Sequence, residues 1–167
     1  MNVKIIADST CDFPADMIKS LDIDTVSLYV ILDEKSYIDN LEMTPDKLVA
    51  WSNETKRTPK TSAPTVDDYL KAFNPYAKAG QDIVFISVSS KLSATCQNAH
   101  IAADMIEGIS IKIIDGELNL TLNGRNAPEL HVSREYNNML KGYKESKDKS
   151  KSQKDAVIFI KQKLDAA

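Results

Sequence analysis

The residues Ile83-Val84-Phe85-Ile86-Ser87-Val88, followed by Ser89-Ser90-Lys91-Leu92-Ser93-Ala94-Thr95, decide the fold of this chain. The first stretch is apolar and rich in β-branched residues, which is typical of a buried strand. The second stretch is polar and leads into a helix with apolar residues at spacings of three and four: Cys96, Ala99, Ala103 and Ile106. A buried strand, a polar loop and a helix in this order are the repeating unit of an α/β protein.

The same order occurs at the beginning of the chain. Val3 to Ala7 is a short apolar run that predicts a strand, the turn Asp8-Ser9-Thr10 follows it, and a helix is expected from Ala15 to Leu21 with Pro14 at its start. Ile111 to Ile114 predicts another strand. We therefore expect an α/β fold, mainly a parallel sheet with helices on both faces, whose ligands lie beyond the carboxyl ends of the strands.

Between these units the pattern predicts a strand with a short hairpin, a helix, a loop and a second helix. The strand is expected at Thr25 to Leu32, with a return through Tyr37 to Asp39, and the first helix at Thr44 to Trp51. The loop is expected at Asn53 to Pro64. Thr65 caps the second helix, and Pro75 ends or kinks it. After Asp115-Gly116 the character changes, so we divide the chain into an α/β domain, residues 1–116, and a short C-terminal segment, residues 117–167.

The C-terminal segment has weaker signals. A strand is expected at Leu118 to Leu122, a helix at Val132 to Lys144, and either a strand or a final helix at Ala156 to Leu164. Between Lys141 and Lys163 there are eight lysines and three acidic residues. This basic tail is either a solvated face or an interaction patch.

Composition excludes several classes of protein. The 167 residues are 43% hydrophobic and carry a net charge of -3, which argues for a globular chain and against a general nucleic-acid binder. The glycines form no dinucleotide or P-loop motif, and the two cysteines suggest neither a disulfide nor a zinc site, so no cofactor and no metal are expected. No run approaches the roughly 20 apolar residues of a membrane span, and a cytoplasmic location is expected.

Two polar stretches gather hydroxyls where the chain enters a helix: Lys60-Thr61-Ser62-Ala63-Pro64 and Ser89 to Thr95. Helix N-termini present unpaired N–H groups, and neighbouring hydroxyls add donors for a carboxylate or phosphate. Ordinary capping is the alternative, and it suffices for Thr65. A cap needs one hydroxyl, however, and the second stretch has four in seven residues. Neither stretch contains a nucleophile with an obvious base beside it, so the pattern favours binding over catalysis.

Taken together, these stretches resemble the DegV family of bacterial fatty-acid-binding proteins over about residues 3 to 115. The matching motifs, in order, are Ile5-Ile6-Ala7-Asp8-Ser9-Thr10-Cys11-Asp12, Thr44-Pro45, Lys60-Thr61-Ser62-Ala63-Pro64, Ser89-Ser90-Lys91-Leu92-Ser93-Ala94-Thr95, and the strand ending at Asp115. The resemblance implies a fold like the N-terminal domain of that family, followed here by the short C-terminal extension.

The resemblance also implies a function. Proteins of this family hold one acyl chain in an apolar tunnel between two domains, and many present it to a fatty acid kinase, which makes a fatty acid and such a kinase the expected partners. The family's carboxylate-holding positions fall on Thr61, Ser62 and Ser93. The protein itself would be no enzyme.

This chain departs from the family at several points. Ala63 stands where Gln is usual and Ala94 where Gly is usual. The chain is also much shorter, and the Ser-Met-Gly segment, the central helices of the second domain and its Arg and His are not found. The second hypothesis is therefore a structural or interaction module that has lost lipid binding, and a homodimer is one way to rebuild a tunnel. The acyl chain's length and saturation stay open.

Overall fold

A computed structural model describes residues 3–114, 157–158 and 160–162 of the chain. The strands are β1 (Val3–Asp8), β2 (Ile23–Val26), β3 (Tyr29–Leu32), β4 (Lys35–Ile38), β5 (Lys60–Ser62), β6 (Asp82–Ile86) and β7 (Ile111–Ile114). The helices are α1 (Ala15–Ser20), α2 (Pro45–Thr55), α3 (Val66–Lys78) and α4 (Thr95–Asp104). The strand and helix expected within residues 117–156 lie outside the described residues, and the division of the chain at residue 116 stays a prediction.

The main sheet is parallel, with strands in the order β2-β1-β6-β7. The central strands β1 and β6 pair from Val3 with Asp82 to Ala7 with Ile86, so both end at the same edge of the sheet. These strands form because their near-continuous apolar runs are buried on both faces. The prediction of an α/β fold with a mainly parallel sheet is confirmed.

Each face of the sheet has its own core. On one face, α3 and α4 pack over an aromatic group in which the Tyr69 ring lies edge-on to Phe85, with 5.2 Å between ring centroids. On the other face, α1 packs together with Val157 and Ile160, which are buried and helical. Part of the C-terminal segment therefore packs against the domain that begins the chain, and its ambiguous last element is a helix where the structure describes it.

A second, antiparallel sheet has the order β4-β3-β5. The single strand predicted from Thr25 to Leu32 is wrong, because β2 ends at Val26 in the parallel sheet and β3 begins at Tyr29 in the antiparallel one. The chain changes direction where the Leu28 N–H donates to the Ser9 hydroxyl at 3.1 Å. The predicted loop from Asn53 to Pro64 is also wrong in part, since α2 continues to Thr55 and β5 pairs with β3.

The helix starts follow the predicted capping residues in part. Thr65 forms a full capping box, in which its Oγ1 accepts the Asp68 N–H at 3.2 Å and its own N–H donates to the Asp68 carboxylate at 2.8 Å. Thr44 occupies the N-cap position of α2, but its side chain makes no capping hydrogen bond. Pro75 does not end α3, which continues to Lys78. The proline cannot donate an i to i−4 hydrogen bond, and the helix nevertheless continues for three more residues.

A buried lysine lies near the amino end of β1, away from the carboxyl edge of the sheet. The Lys4 ammonium donates to Asp22 at 2.8 Å, lies 3.2 Å from an oxygen of Asp24, and is 5.3 Å from the centroid of the Tyr76 ring. Burial lowers the pKa of Lys4, but its bonds to Asp22 and Asp24 outweigh burial and raise that pKa overall. The Lys4 bond lowers the pKa of Asp22.

Replacing Lys4 by Met is expected to lower the free energy of unfolding by about 1 kcal/mol near pH 7, a modest loss because Asp22 is solvent-exposed. The lowered pKa of Asp22 contributes stability above its unfolded value of 3.8, and this is lost as the pH falls through the folded value. The raised pKa of Lys4 contributes below 10.5, and this is lost as the pH rises through the folded value.

The effect of Lys4→Met is therefore expected to be largest between about pH 4 and about pH 10. Urea denaturation near pH 7 and near pH 3 measures the difference. Lys71→Met is the matched control, because Lys71 forms an exposed pair with Asp67 and should contribute nothing measurable. An equal loss at both pH values for Lys4→Met would contradict the electrostatic origin.

Candidate functional site

A cleft of about 700 Å³ opens at the carboxyl edge of the parallel sheet. Its walls are formed by β5 and the segment after it, the segments after β1 and β6, the link between β2 and β3, and the first turn of α4. Its lining residues are Thr10, Leu28, Thr61, Ser62, Ala63, Thr65, Val88, Leu92, Ser93, Ala94 and Asn98. The structure thus brings together all three residues predicted from sequence, Thr61, Ser62 and Ser93.

The hydroxyl residues in the wall between β6 and α4 have two different roles. Ser89 is buried, and its side chain accepts the Lys91 N–H at 3.3 Å while its carbonyl accepts the Ser93 N–H at 3.2 Å. These bonds close the turn, so Ser89 has a local structural role. Ser93 lines the cleft instead, and its Oγ accepts the Thr95 N–H at 3.2 Å.

The opposite wall is the edge strand β5 and the segment after it. Thr61 pairs with Val30 and Ser62 with Tyr29 of β3, and both hydroxyl residues are exposed. The Ser62 hydroxyl donates weakly, at 3.4 Å, to the Ala63 carbonyl. Neighbouring strand residues point to opposite faces, so Thr61 and Ser62 are not expected to contribute equally to one ligand.

Asn98 of α4 joins the two walls. Its side-chain N–H donates to the Pro64 carbonyl at 2.8 Å, across a separation of 34 residues in the sequence. Because α4 also carries the wall that includes Ser93, this bond fixes the distance between the two hydroxyl stretches. The role of Asn98 was not predicted, and the only signal for it was a polar residue one turn into a predicted helix.

Asp8 holds the floor of the cleft together. Its carboxylate is fully buried at the end of β1, and it accepts the Thr10 N–H at 3.1 Å, the Thr10 hydroxyl, and the Val88 N–H at 2.5 Å. Thr10 and Val88 both line the cleft, so one carboxylate fixes the loops after two neighbouring strands. Asp8 also caps the 3₁₀ turn Ser9–Cys11, because its side chain accepts the Thr10 N–H.

The donors around the cleft are neutral. The described residues that line it include hydroxyl and amide groups but no Lys, Arg or His. The N-terminus of α4 adds the partial positive charge of a helix start. Hydroxyl donors next to such a helix start suit an oxyanion, and the apolar side chains Leu28, Val88 and Leu92 suit an alkyl group.

Two negative findings apply to the described part of the chain. Within residues 3–114, 157–158 and 160–162, no group of three or more His, Cys, Asp or Glu residues is placed to hold a metal ion. None of the helices described there has the length and apolar character needed to cross a membrane.

The parallel sheet and its hydroxyl-lined cleft define an α/β protein with a polar site at the carboxyl edge of the strands. The particular family follows from comparison of sequences. A family model described as "Uncharacterised protein, DegV family" matches residues 2–164, and the chain belongs to this family.

Curated relatives agree with this assignment. A DegV domain-containing protein of Clostridium acetobutylicum is 39% identical over 119 residues, which cover 71% of this chain and 42% of the relative. A protein of Thermotoga maritima named "Fatty acid-binding protein" is 34% identical, over 69% of this chain and 41% of its own. The chain thus spans less than half the length of these relatives.

Solved structures show the same fold. DegV, a fatty acid binding protein from Bacillus subtilis, superposes with a TM-score of 0.71 at 24% identity, over 84% of this chain and 54% of its own. A stearic acid-binding protein from Eubacterium ventriosum gives a TM-score of 0.67 at 27% identity, over 70% and 42%. The fatty acid kinase (Fak) B3 protein of Streptococcus pneumoniae, loaded with linoleic acid, gives a TM-score of 0.54 at 25% identity. This match covers 70% of this chain and 42% of that protein.

Proposed function

We propose that this chain binds a long-chain fatty acid and holds its carboxylate with the hydroxyls of Thr61, Ser62 and Ser93. The observation that carries the proposal is that these three residues, from two stretches about 30 positions apart in the sequence, line one cleft. Several DegV-family neighbours are named for fatty acid binding, which supports the choice of ligand.

The physical chemistry of the cleft fits such a ligand. Hydrogen bonds to a charged acceptor are stronger than bonds between neutral groups, so two or three hydroxyls can hold one carboxylate. Burial of the alkyl chain contributes about 0.8 kcal/mol per CH₂ group and supplies most of the affinity. Leu92 lines the cleft with 60% of its surface exposed, and this apolar area is available for the first methylene groups of the chain.

The same geometry supports presentation of the acid to a fatty acid kinase. Neutral donors leave the carboxylate its charge, and an open cleft leaves one of its oxygens accessible to a phosphoryl donor that a partner brings. The likeness to the kinase B3 protein supports this step. The described residues that line the cleft include no His or Lys that could act as a base, so the chain's role in the pair is to bind and present the acid.

Native mass spectrometry of the protein purified from a bacterial host tests the proposal, followed by denaturing extraction and identification of any lipid. We expect one fatty acid per cleft. A protein that is folded and free of lipid, and that takes up no added fatty acid, would contradict the proposal.

A second candidate, an interaction module, is favoured by apolar side chains on one helix face. Ile101 lies on α4, and Met105 lies one turn further on, at the C-cap of that helix. Their exposed fractions are 44% and 62%. Light scattering of the lipid-free protein measures its oligomeric state. A stable dimer that is lost in Ile101→Ser would favour this role over lipid binding.

A further inference from the structure

Two hydroxyls are in contact at the start of α4. The Oγ of Ser93 lies 2.7 Å from the Oγ1 of Thr95, and either atom can be the donor. Ser93 lines the cleft, whereas the Thr95 side chain is fully buried beneath it. The direction of the proton between these two oxygens decides what Ser93 offers to a ligand.

A hydroxyl has one donor and two acceptor positions. The Ser93 Oγ already accepts the backbone N–H of Thr95. If the Thr95 hydroxyl also donates to it, both acceptor positions of Ser93 are filled and its own proton is directed to the cleft. If Ser93 instead donates to Thr95, it presents only a lone pair, which repels a carboxylate.

The phenol of Tyr69 favours the first arrangement. Tyr69 is fully buried, and among the described residues its oxygen has no hydrogen-bonding partner at standard geometry. Burial raises the pKa of this phenol, the Asp8 carboxylate raises it further, and the neighbouring Thr95 hydroxyl opposes them only by donating to the ionised form, which burial keeps unpopulated. The phenol therefore keeps its proton and needs an acceptor, and the oxygen of the neighbouring Thr95 hydroxyl can serve as one.

We propose that Thr95 is a positioning residue for the carboxylate site: Tyr69 donates to Thr95, Thr95 donates to Ser93, and Ser93 donates to the ligand. The inference rests on the proposed fatty acid binding and deepens it, because it assigns the donor character of Ser93 to a buried residue that does not touch the ligand. Bonds aligned in one direction also polarise one another, which strengthens the last donor.

The test compares Thr95→Val, which keeps the branched shape and removes the hydroxyl, with Thr95→Ser, which keeps the hydroxyl. Affinities are measured by calorimetry for decanoic acid and for 1-decanol, which has a neutral head group of similar size. Thr95→Val is expected to weaken the acid about ten-fold and the alcohol less than about two-fold. Thr95→Ser should keep the wild-type preference, and Tyr69→Phe should weaken the acid about three-fold.

Thr55→Val is the matched control, because Thr55 donates only locally, to the Trp51 carbonyl at 2.8 Å, and lies outside the cleft. In a Ser93→Ala background, Thr95→Val should cause no further loss of acid binding. An equal loss for acid and alcohol, an additive double variant, or unchanged binding in Thr95→Val would each overturn the proposal.

Neutron diffraction from ligand-free, perdeuterated crystals tests the inference separately from the proposed function. We expect the Thr95 deuteron on the line to the Ser93 oxygen and the Ser93 deuteron directed to the cleft. A Ser93 deuteron on Thr95 would overturn the inference even if the wild-type protein binds fatty acid. If the wild-type protein neither co-purifies with nor takes up a long-chain fatty acid, the proposed function fails, and the deuteron positions still decide the direction of the hydrogen bonds between Tyr69, Thr95 and Ser93.

Discussion

Replacing Thr61 and Ser93 together by Ala is expected to weaken fatty acid binding about a hundred-fold while the domain stays folded. Each residue contributes one hydroxyl to the cleft from an opposite wall. A hydrogen bond to a charged group is worth about 1.5 to 3 kcal/mol, so the loss of two costs about 3 kcal/mol or more. The apolar contacts of the alkyl chain remain, and binding of a fatty alcohol should fall much less.

The measurement is the dissociation constant for a fatty acid in wild type, the two single variants and the double variant, with the thermal midpoint as the check of folding. Ser93→Ala removes the acceptor of the Thr95 N–H, so its midpoint is expected to fall slightly. Comparing Ser62→Ala with Thr61→Ala shows which of these two β5 residues contributes more to binding the carboxylate.

The matched control is Ser52→Ala with Thr55→Ala, since both hydroxyls donate to backbone carbonyls near the end of α2 and neither lines the cleft. The Ser52→Ala, Thr55→Ala double variant is expected to bind fatty acid with wild-type affinity. A folded Thr61→Ala, Ser93→Ala protein that retains fatty acid as wild type does would remove these residues from the site.

The parallel sheet could be predicted because its strands carry their own signal. The apolar runs in β1 and β6 are buried on both faces, and burial is what their sequence pattern reports. The break between β2 and β3 could not be predicted, because Thr25 to Leu32 has continuous strand character. The break depends on a bond between Leu28 and Ser9, which are 19 residues apart.

Edge strand β5 illustrates the same limit. Lys60–Ser62 is short, polar and exposed, so nothing in its pattern favours a strand. It becomes a strand because β3 offers unpaired backbone groups along one side, from Ile31 to Tyr29. Local sequence does not contain that information, since it belongs to the partner strand.

The candidate site divides in the same way. Clustered hydroxyls before helix starts could be found in the sequence, and the structure places them around one cleft. Asn98 was missed as a lining residue because it is a single polar residue whose role depends on a distant partner, the Pro64 carbonyl. The chemical types at the site can be predicted from local patterns, but the residues that fix their distances cannot.

Replacing Asp8 by Asn is expected to have the largest effect on stability, a loss of about 3 kcal/mol in the free energy of unfolding. The buried carboxylate of Asp8 accepts the N–H groups of Thr10 and Val88 and the Thr10 hydroxyl. An amide of the same shape turns one acceptor oxygen into an N–H donor, which then faces another donor. A buried donor without an acceptor costs about 1 to 3 kcal/mol, and the charge-assisted bonds are lost as well.

Urea denaturation near pH 7 measures the loss in Asp8→Asn, with Asp67→Asn as the control because Asp67 is an exposed carboxylate on α3. Only a small change in midpoint is expected for the control. Because the Thr10 and Val88 amides donate to the Asp8 carboxylate, their hydrogen exchange should rise in Asp8→Asn more than that of the β3 amides. If Asp8→Asn were as stable as wild type, Asp8 would not be the group that holds the ends of β1 and β6 together.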